Sequence, residues 1–184
     1  MNARTLRARL LADIDHYDAL IPAMRAAKTS LWIATANVKE LRIEAEVGTR
    51  DRASGRYVSI LSTIQALLNR KVDVRFLHGA IPSRPFREEL TRRPGLKKAL
   101  PMKHCPRVHL KVIAIDGRLL YLGSANFTGA GLGAKGEGRR NFEMGITTDD
   151  DVLLDEVQMR YDRIWSGKEC GSCKLRRVCP KPFA

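Results

Sequence analysis

His109-Leu110-Lys111-Val112-Ile113-Ala114-Ile115-Asp116, then six further residues, then Gly123-Ser124-Ala125-Asn126: this stretch decides how the chain is read. Side chains on a strand alternate with period two, so His109 and Lys111 point to one face. The histidine titrates near neutral pH and is a candidate nucleophile or base, while the lysine is a fixed cation suited to an anionic substrate. Val112 to Ile115 continue as a buried strand, Asp116-Gly117 makes a hairpin turn, and Leu119 to Leu122 return as a second strand. Gly123, Ser124 and Asn126 then bring small hydrogen-bonding groups beside the His–Lys pair. Such a constellation is suited to holding a phosphate.

The pattern resembles the HKD motif of the phospholipase D superfamily: His, any residue, Lys, four residues, Asp, six residues, Gly-Ser, any residue, Asn. His109, Lys111, Asp116, Gly123, Ser124 and Asn126 meet each position. The resemblance implies a hydrolase that cleaves phosphodiesters without metal through a covalent phosphohistidine. His109 would attack phosphorus, and Lys111, Ser124 and Asn126 would hold the non-bridging oxygens as charge develops. Asp116 and Gly123 would be structural. Downstream, Glu143 in Asn141-Phe142-Glu143 precedes the apolar Met144-Gly145-Ile146. It matches the superfamily's acidic residue on a central strand that orients the catalytic histidine.

The chemistry also needs a general acid, by resemblance a second histidine. His16, His78 and His104 are the other histidines, and none begins another His-x-Lys pattern. A single motif implies a homodimer, with the active site at the dimer interface and His109 of each subunit facing the other across a two-fold axis.

Working outward, Ala3 to Ala27 reads as a helix bent near Pro22, with Leu6, Leu10, Ile14 and Leu20 as its apolar face. Leu31 to Ala36 is a buried strand, Val58 to Asn69 a second helix, and Val72 to Leu77 a strand. That order makes a right-handed crossover and a parallel pair. Lys39 to Arg56 has no firm reading. Asp149-Asp150 caps a helix to about Trp165, burying Val152, Leu153, Val157, Tyr161, Ile164 and Trp165. The expected fold class is α/β: an α/β/α layered domain over residues 1–165 with a mixed, largely parallel central sheet, followed by a cysteine-rich tail at 166–184.

Lys and Arg total 33 against 20 Asp and Glu in 184 residues, a net charge of +13. The surplus favours a polyanionic partner through counterion release. Arg84, Arg87, Arg92, Arg93, Lys97, Lys98, Lys103 and Arg107 lead into His109, and Arg139 and Arg140 lie in the glycine-rich loop after the hairpin. These are the candidate nucleic-acid contacts. No apolar run is long enough to span a membrane and no signal peptide is evident, so the expectation is a cytoplasmic protein.

Cys170, Cys173 and Cys179 form Cys-x2-Cys-x5-Cys before Pro180, and Cys105 stands upstream as a possible fourth ligand. Three thiols at metal-ligand spacing suggest metal binding in a reducing compartment. The tail resembles the iron–sulfur staple of certain RecB-like nucleases, where one upstream cysteine joins such a triplet around a 4Fe–4S cluster. Structural zinc is the alternative, with His104 leaving a Cys3His set open. Either centre would be structural, with no part in hydrolysis.

Three functions fit these features. The leading one is a dimeric DNA or RNA nuclease, DNA being preferred. The others are a hydrolase of anionic phospholipids and a nucleic-acid-binding subunit of a larger complex.

Overall fold

The computed structural model describes residues 5–177 and 179. Among the described residues, nine strands and six α-helices follow in order: β1 (Arg9–Ala12), α1 (Asp15–Ala26), β2 (Ser30–Thr35), β3 (Arg42–Glu44), α2 (Arg50–Ala53), β4 (Tyr57–Ser59), α3 (Ile60–Asn69), β5 (Asp73–His78), α4 (Arg84–Thr91), α5 (Pro94–Ala99), β6 (Met102–His104), β7 (Lys111–Ile115), β8 (Leu119–Gly123), β9 (Met144–Thr148) and α6 (Asp151–Trp165), with one short 3-10 turn at Glu137–Arg139. Seven strands form one sheet in the order β1-β9-β8-β7-β2-β5-β6, and β3 and β4 form a separate ribbon. The sheet is mixed: β2 pairs parallel with β5, and β5 with β6, while the remaining neighbours are antiparallel. Only β7 and β9 run against the common direction. The domain is therefore α/β with a mixed, largely parallel central sheet.

Alternation along the strands divides the core into two. Leu31 and Ile33 of β2, Ile113 and Ile115 of β7, and Tyr121 of β8 face a layer built from α1, α3, α4 and α5. Ala34, Val112, Ala114 and Leu120 face the other side, where α6 packs with Leu154 and Tyr161. Ser59, Ser83 and Asp150 start α3, α4 and α6 by accepting the amides of Leu61, Phe86 and Leu153. The far end of α6 is held by Tyr161 stacked between Trp32 and Trp165, with the Arg75 guanidinium 4.1 Å from the Trp32 ring centroid.

The N-terminal segment differs from its sequence reading. Residues 9–12 are a strand paired with β9, Leu10 opposite Ile146 and Ala12 opposite Met144, and the helix begins only at Asp15. Pairing with a strand from the other end of the chain overrides a spacing that also fits a helix face. Residues 3 and 4 of the expected helix lie outside the described residues. The helix that is present runs through Pro22. Helix α3 starts two residues later than expected because Tyr57–Ser59 pairs with Arg42–Glu44. Val152, expected to be buried on α6, is exposed.

The α6 layer does not extend across the sheet edge at β9 and β1. Met144 and Leu10, on that face of neighbouring strands, are 67% and 63% exposed.

Candidate active site

The motif residues meet at one end of the sheet, where β2, β5 and β8 finish and β7 and β9 begin. Strand alternation aims Thr35, Lys111, Gly123 and Glu143 to the face that carries Tyr121 below them. The hairpin turn is Asp116-Gly117, both residues at positive φ (55° and 62°), with Arg118 N–H bonding Ile115 O at 2.9 Å. That geometry matches the right-handed strand twist and favours Asp followed by Gly.

His109 is exposed in the extended segment just before β7. The Lys111 ammonium lies 3.2 Å from His109 Nδ1, 3.3 Å from Nε2 and 3.0 Å from its carbonyl oxygen. Burial pushes the Lys111 ammonium below its ordinary pKa, and the negative charge of Glu143 works against that shift. A partly dehydrated cation held against an imidazole is an apt receptor for a phosphate oxygen.

Ser124 and Glu143 lock the second wall. The Ser124 hydroxyl donates to Glu143 Oε2 and accepts the Met144 amide at 3.1 Å, while Ser124 N–H bonds Met144 O at 2.9 Å. Asn141 Nδ2 donates to Glu143 Oε1 at 2.9 Å, and the Glu143 amide donates to Asp13 Oδ1 at 3.0 Å. Glu143, 7% exposed, immediately precedes β9. Its carboxylate engages Ser124 and Asn141 instead of the expected His109, because the β8–β9 register sets Ser124 beside it.

Asn126 Oδ1 accepts the Asn37 amide at 3.0 Å and lies 3.3 Å from the donating Thr35 hydroxyl. With Oδ1 engaged in this way, the orientation of the Asn126 amide is fixed. Thr35, Asn37, Asp13 and Asn141 were not singled out from the sequence. The position of Thr35 and Asn37 at the end of a buried strand was the available signal, since α/β sheets bind ligands beyond strand ends.

Two glycines are dictated by contacts. A Cβ on Gly123 would lie 2.3 Å from Tyr121 Oη and 2.7 Å from Gly145 Cα, because the tyrosine crosses the Gly123–Gly145 pair. A Cβ on Gly79 would lie 2.0 Å from Val108 O, so the turn after β5 presses on the segment leading to His109. Burial and the nearby charge of Glu143 raise the Tyr121 phenol to about 12, against a weaker pull down from its bond to the Ala125 amide. Asp116 stands at the opposite end of β7 from His109. Its carboxylate accepts the amides of Lys28, Thr29 and Ser30 and the Thr29 hydroxyl.

The remaining candidates separate by location. Arg84, Arg87 and Arg92 are exposed together along α4, and Lys97 and Lys98 are exposed on α5. Arg84 pairs with Glu88 and Arg92 with Glu89 at the surface, Arg93 pairs with Glu89 and Gln65, and Lys103 donates to Trp165 O at 2.7 Å. Arg139 is exposed and Arg140 half-buried in the loop before Asn141. Cys105, Cys170, Cys173 and Cys179 all line one cavity with Arg107, on the far side of the His109 lead-in. Among the described residues, no three His, Cys, Asp or Glu side chains are arranged to hold a metal ion. The four thiols thus fit a thiophilic metal in kind, while their present arrangement is open. His78 and His104 stack at 5.2 Å with ring nitrogens bonded to the carbonyls of Ala80 and Gly79.

A sheet of this order, with a His-Lys-Ser-Asn cluster at the strand ends, defines a phospholipase D-like domain. Residues 20–165 match the family model described as cardiolipin synthase, PLD-like domain, and the chain belongs to that phosphodiesterase family. Its fold is similar to that of NucT from Helicobacter pylori, at 18% identity and TM-score 0.57, covering 86% of this chain and 95% of that one. It is also similar to Nuc, a phospholipase D family member from Salmonella typhimurium, at 16% identity and TM-score 0.61, covering 88% and 95%. A phosphatidylserine synthase from Haemophilus influenzae shares the fold over 85% of this chain and 38% of its own, at 15% identity and TM-score 0.52. No curated protein sequence matches the chain. Among the described residues, no helix is long and apolar enough to cross a membrane.

Proposed function

We propose that the protein is a metal-independent nuclease, acting on DNA by preference, whose active site is completed by a second copy of the chain. The observation that carries this reading is the placement of His109, Lys111, Ser124 and Asn126 at one end of the sheet, with Lys111 against His109 and with Glu143 and Thr35 bonded to Ser124 and Asn126.

In this account His109 attacks phosphorus, forming an N–P bond as the bond to the leaving oxygen breaks. Lys111, the Asn126 amide and Ser124 stabilise the charge on the non-bridging oxygens. The leaving oxygen takes its proton from the second subunit's copy of His109. That imidazole then removes a proton from the water that hydrolyses the phosphohistidine, and both histidines return to their starting state. Homodimerisation is supported by the single motif and by the exposed apolar side chains of Phe142, next to Glu143, and of Leu10 and Met144 on the uncovered face of the same sheet edge.

A polyanionic substrate is favoured by the charge of +13 and the exposed Arg84, Arg87, Arg92, Lys97 and Lys98, and because such a surplus suits an anionic lipid surface as well, the substrate test carries both. The test is hydrolysis of single-stranded DNA, duplex DNA, RNA and cardiolipin vesicles in excess EDTA, by wild type and His109→Ala. DNA cleavage by wild type alone supports the reading. Hydrolysis confined to cardiolipin would transfer the same histidine chemistry to a phospholipid. Binding of DNA with no cleavage of any substrate would favour a binding subunit.

A further inference from the structure

The four cysteines form a second constellation that phosphodiester hydrolysis does not use. All four are free thiols, and all four line one cavity of about 90 Å³, although Cys105 precedes β7 and the others follow α6. Convergence of every cysteine in the chain on one small space is the first observation.

The second is the build of the tail. From Ser166 the described residues form turns only, with no helix or strand. The turns are tied to the cysteines: Cys170 N–H bonds Gly167 O at 2.9 Å, Cys173 N–H bonds Cys170 O at 3.2 Å, Arg176 N–H bonds Cys173 O at 3.0 Å, and Cys179 N–H bonds Leu175 O at 2.8 Å. Among the described residues of the tail, Leu175 is the one large apolar side chain, and it is 40% exposed. A segment this short buries too little apolar surface to hold a fixed shape without a staple.

The third is electrostatic. Arg107 and Arg160 line the cavity, and the Arg107 guanidinium donates to the Cys173 sulfur. Backbone amides of Leu175 and Arg176 also point at that sulfur. Four thiolates around a divalent ion or an iron–sulfur core carry net negative charge, which flanking guanidinium groups and N–H donors offset.

We propose that Cys105, Cys170, Cys173 and Cys179 bind one thiophilic metal centre through four thiolates, drawing the tail inward and fastening it to the segment that carries His109. Zinc and a 4Fe–4S cluster share this ligation, and the sulfur-only donor set excludes magnesium and calcium. The attachment matters to the active site because Cys105 is fixed to β5 (Cys105 N–H to His78 O, 2.9 Å) and in turn accepts the Val108 amide at 2.9 Å, one residue before His109. The centre is a positioning device that leaves the hydrolytic chemistry to His109.

The experiment reads metal, so it stands apart from any substrate. The full chain is purified without oxygen, stripped, and reloaded with Zn²⁺ alone or with Fe²⁺ and sulfide. Metal, acid-labile sulfide and maleimide-reactive thiols are then counted. The expected result is about one zinc, or about four iron with matching sulfide, per chain. All four thiols should be protected in the loaded protein and the melting temperature raised. Cys105→Ser and Cys173→Ser should each lower metal content at least fivefold while retaining wild-type circular dichroism before loading. Failure to retain metal in both reloading arms would overturn the proposal. So would thiols of the wild-type chain reacting at one rate with and without metal, a readout that needs no variant. Unchanged metal in Cys105→Ser would overturn the attachment to the His109 segment.

Discussion

The Ser124 hydroxyl donates to the Glu143 carboxylate across the open end of β8 and β9 and accepts the Met144 amide in return. This bridge ties the Ser124 hydroxyl to the chain that follows the basic loop, and Asp13 anchors that chain through the Glu143 amide. The carboxylate of Glu143 is held by Ser124 and Asn141. Its negative charge also reaches Lys111, where it opposes the effect of burial on the ammonium.

Glu143→Gln should lower kcat on DNA by about 10-fold to 100-fold with little change in KM, since support for a reacting group is lost and ground-state contacts remain. Ser124→Ala should lower it comparably, and the double variant should be no worse than the poorer single one. Steady-state rates of the four proteins test this. Fully additive losses would mean that the two residues act separately.

Gly123→Ala should destabilise the fold by about 2 kcal/mol, because its methyl group meets Tyr121 Oη and the Gly145 backbone. Thermal denaturation should show a melting temperature lower by roughly 4–8 °C. An unchanged melting temperature would contradict the close crossing of Tyr121 over this pair.

Asp116 connects the hairpin to the start of β2 through three amides and a hydroxyl. Burial raises the pKa of its carboxyl, but the amides of Ser30, Thr29 and Lys28 and the Thr29 hydroxyl outweigh it and hold the group below the ordinary carboxylate value. A folded pKa below the unfolded one contributes stability above about pH 4, lost as pH falls through the folded pKa. Asp116→Asn, which tolerates the positive φ, should therefore cost about 1–2 kcal/mol near neutral pH. Urea melts should show the difference shrinking as the solution is acidified further below pH 4. A gap independent of pH would assign the loss to shape instead of charge.

Phe142 is 97% exposed beside Glu143, and Met144 is open on the uncovered sheet face. Met144→Lys should leave secondary structure intact and shift the species seen by sedimentation velocity from dimer to monomer, with cleavage lost in parallel. Phe142→Ala should change folding stability by less than about 0.5 kcal/mol, as expected for a surface site. A Met144→Lys dimer with full activity would remove this face from the interface.

The hairpin was legible because its determinants are local: a period-two pair, an Asp-Gly turn and a fixed run to Gly-Ser-x-Asn. Strand β1 was not legible, because Leu6, Leu10 and Ile14 fit a helical spacing while the pairing that wins comes from Met144–Thr147 near the other end of the chain. The β3–β4 ribbon is hidden for a similar reason, each strand being too short for a pattern. Side-chain anchors such as Asp13 on Glu143 and Asn37 on Asn126 join distant segments, and local spacing carries no trace of them. Charge was legible in amount but not in placement: Arg93 and Lys103 are tied to Glu89 and Trp165.

The central claim is that His109 carries the phosphoryl group. Its most direct test is to quench a reaction between the wild-type chain and DNA labelled at its internal phosphates in alkali, where a phosphohistidine survives, and to look for label on the protein under denaturing conditions. The account predicts labelled protein, discharged by mild acid and absent from His109→Ala. Label that resists acid, or that persists in His109→Ala, would contradict it.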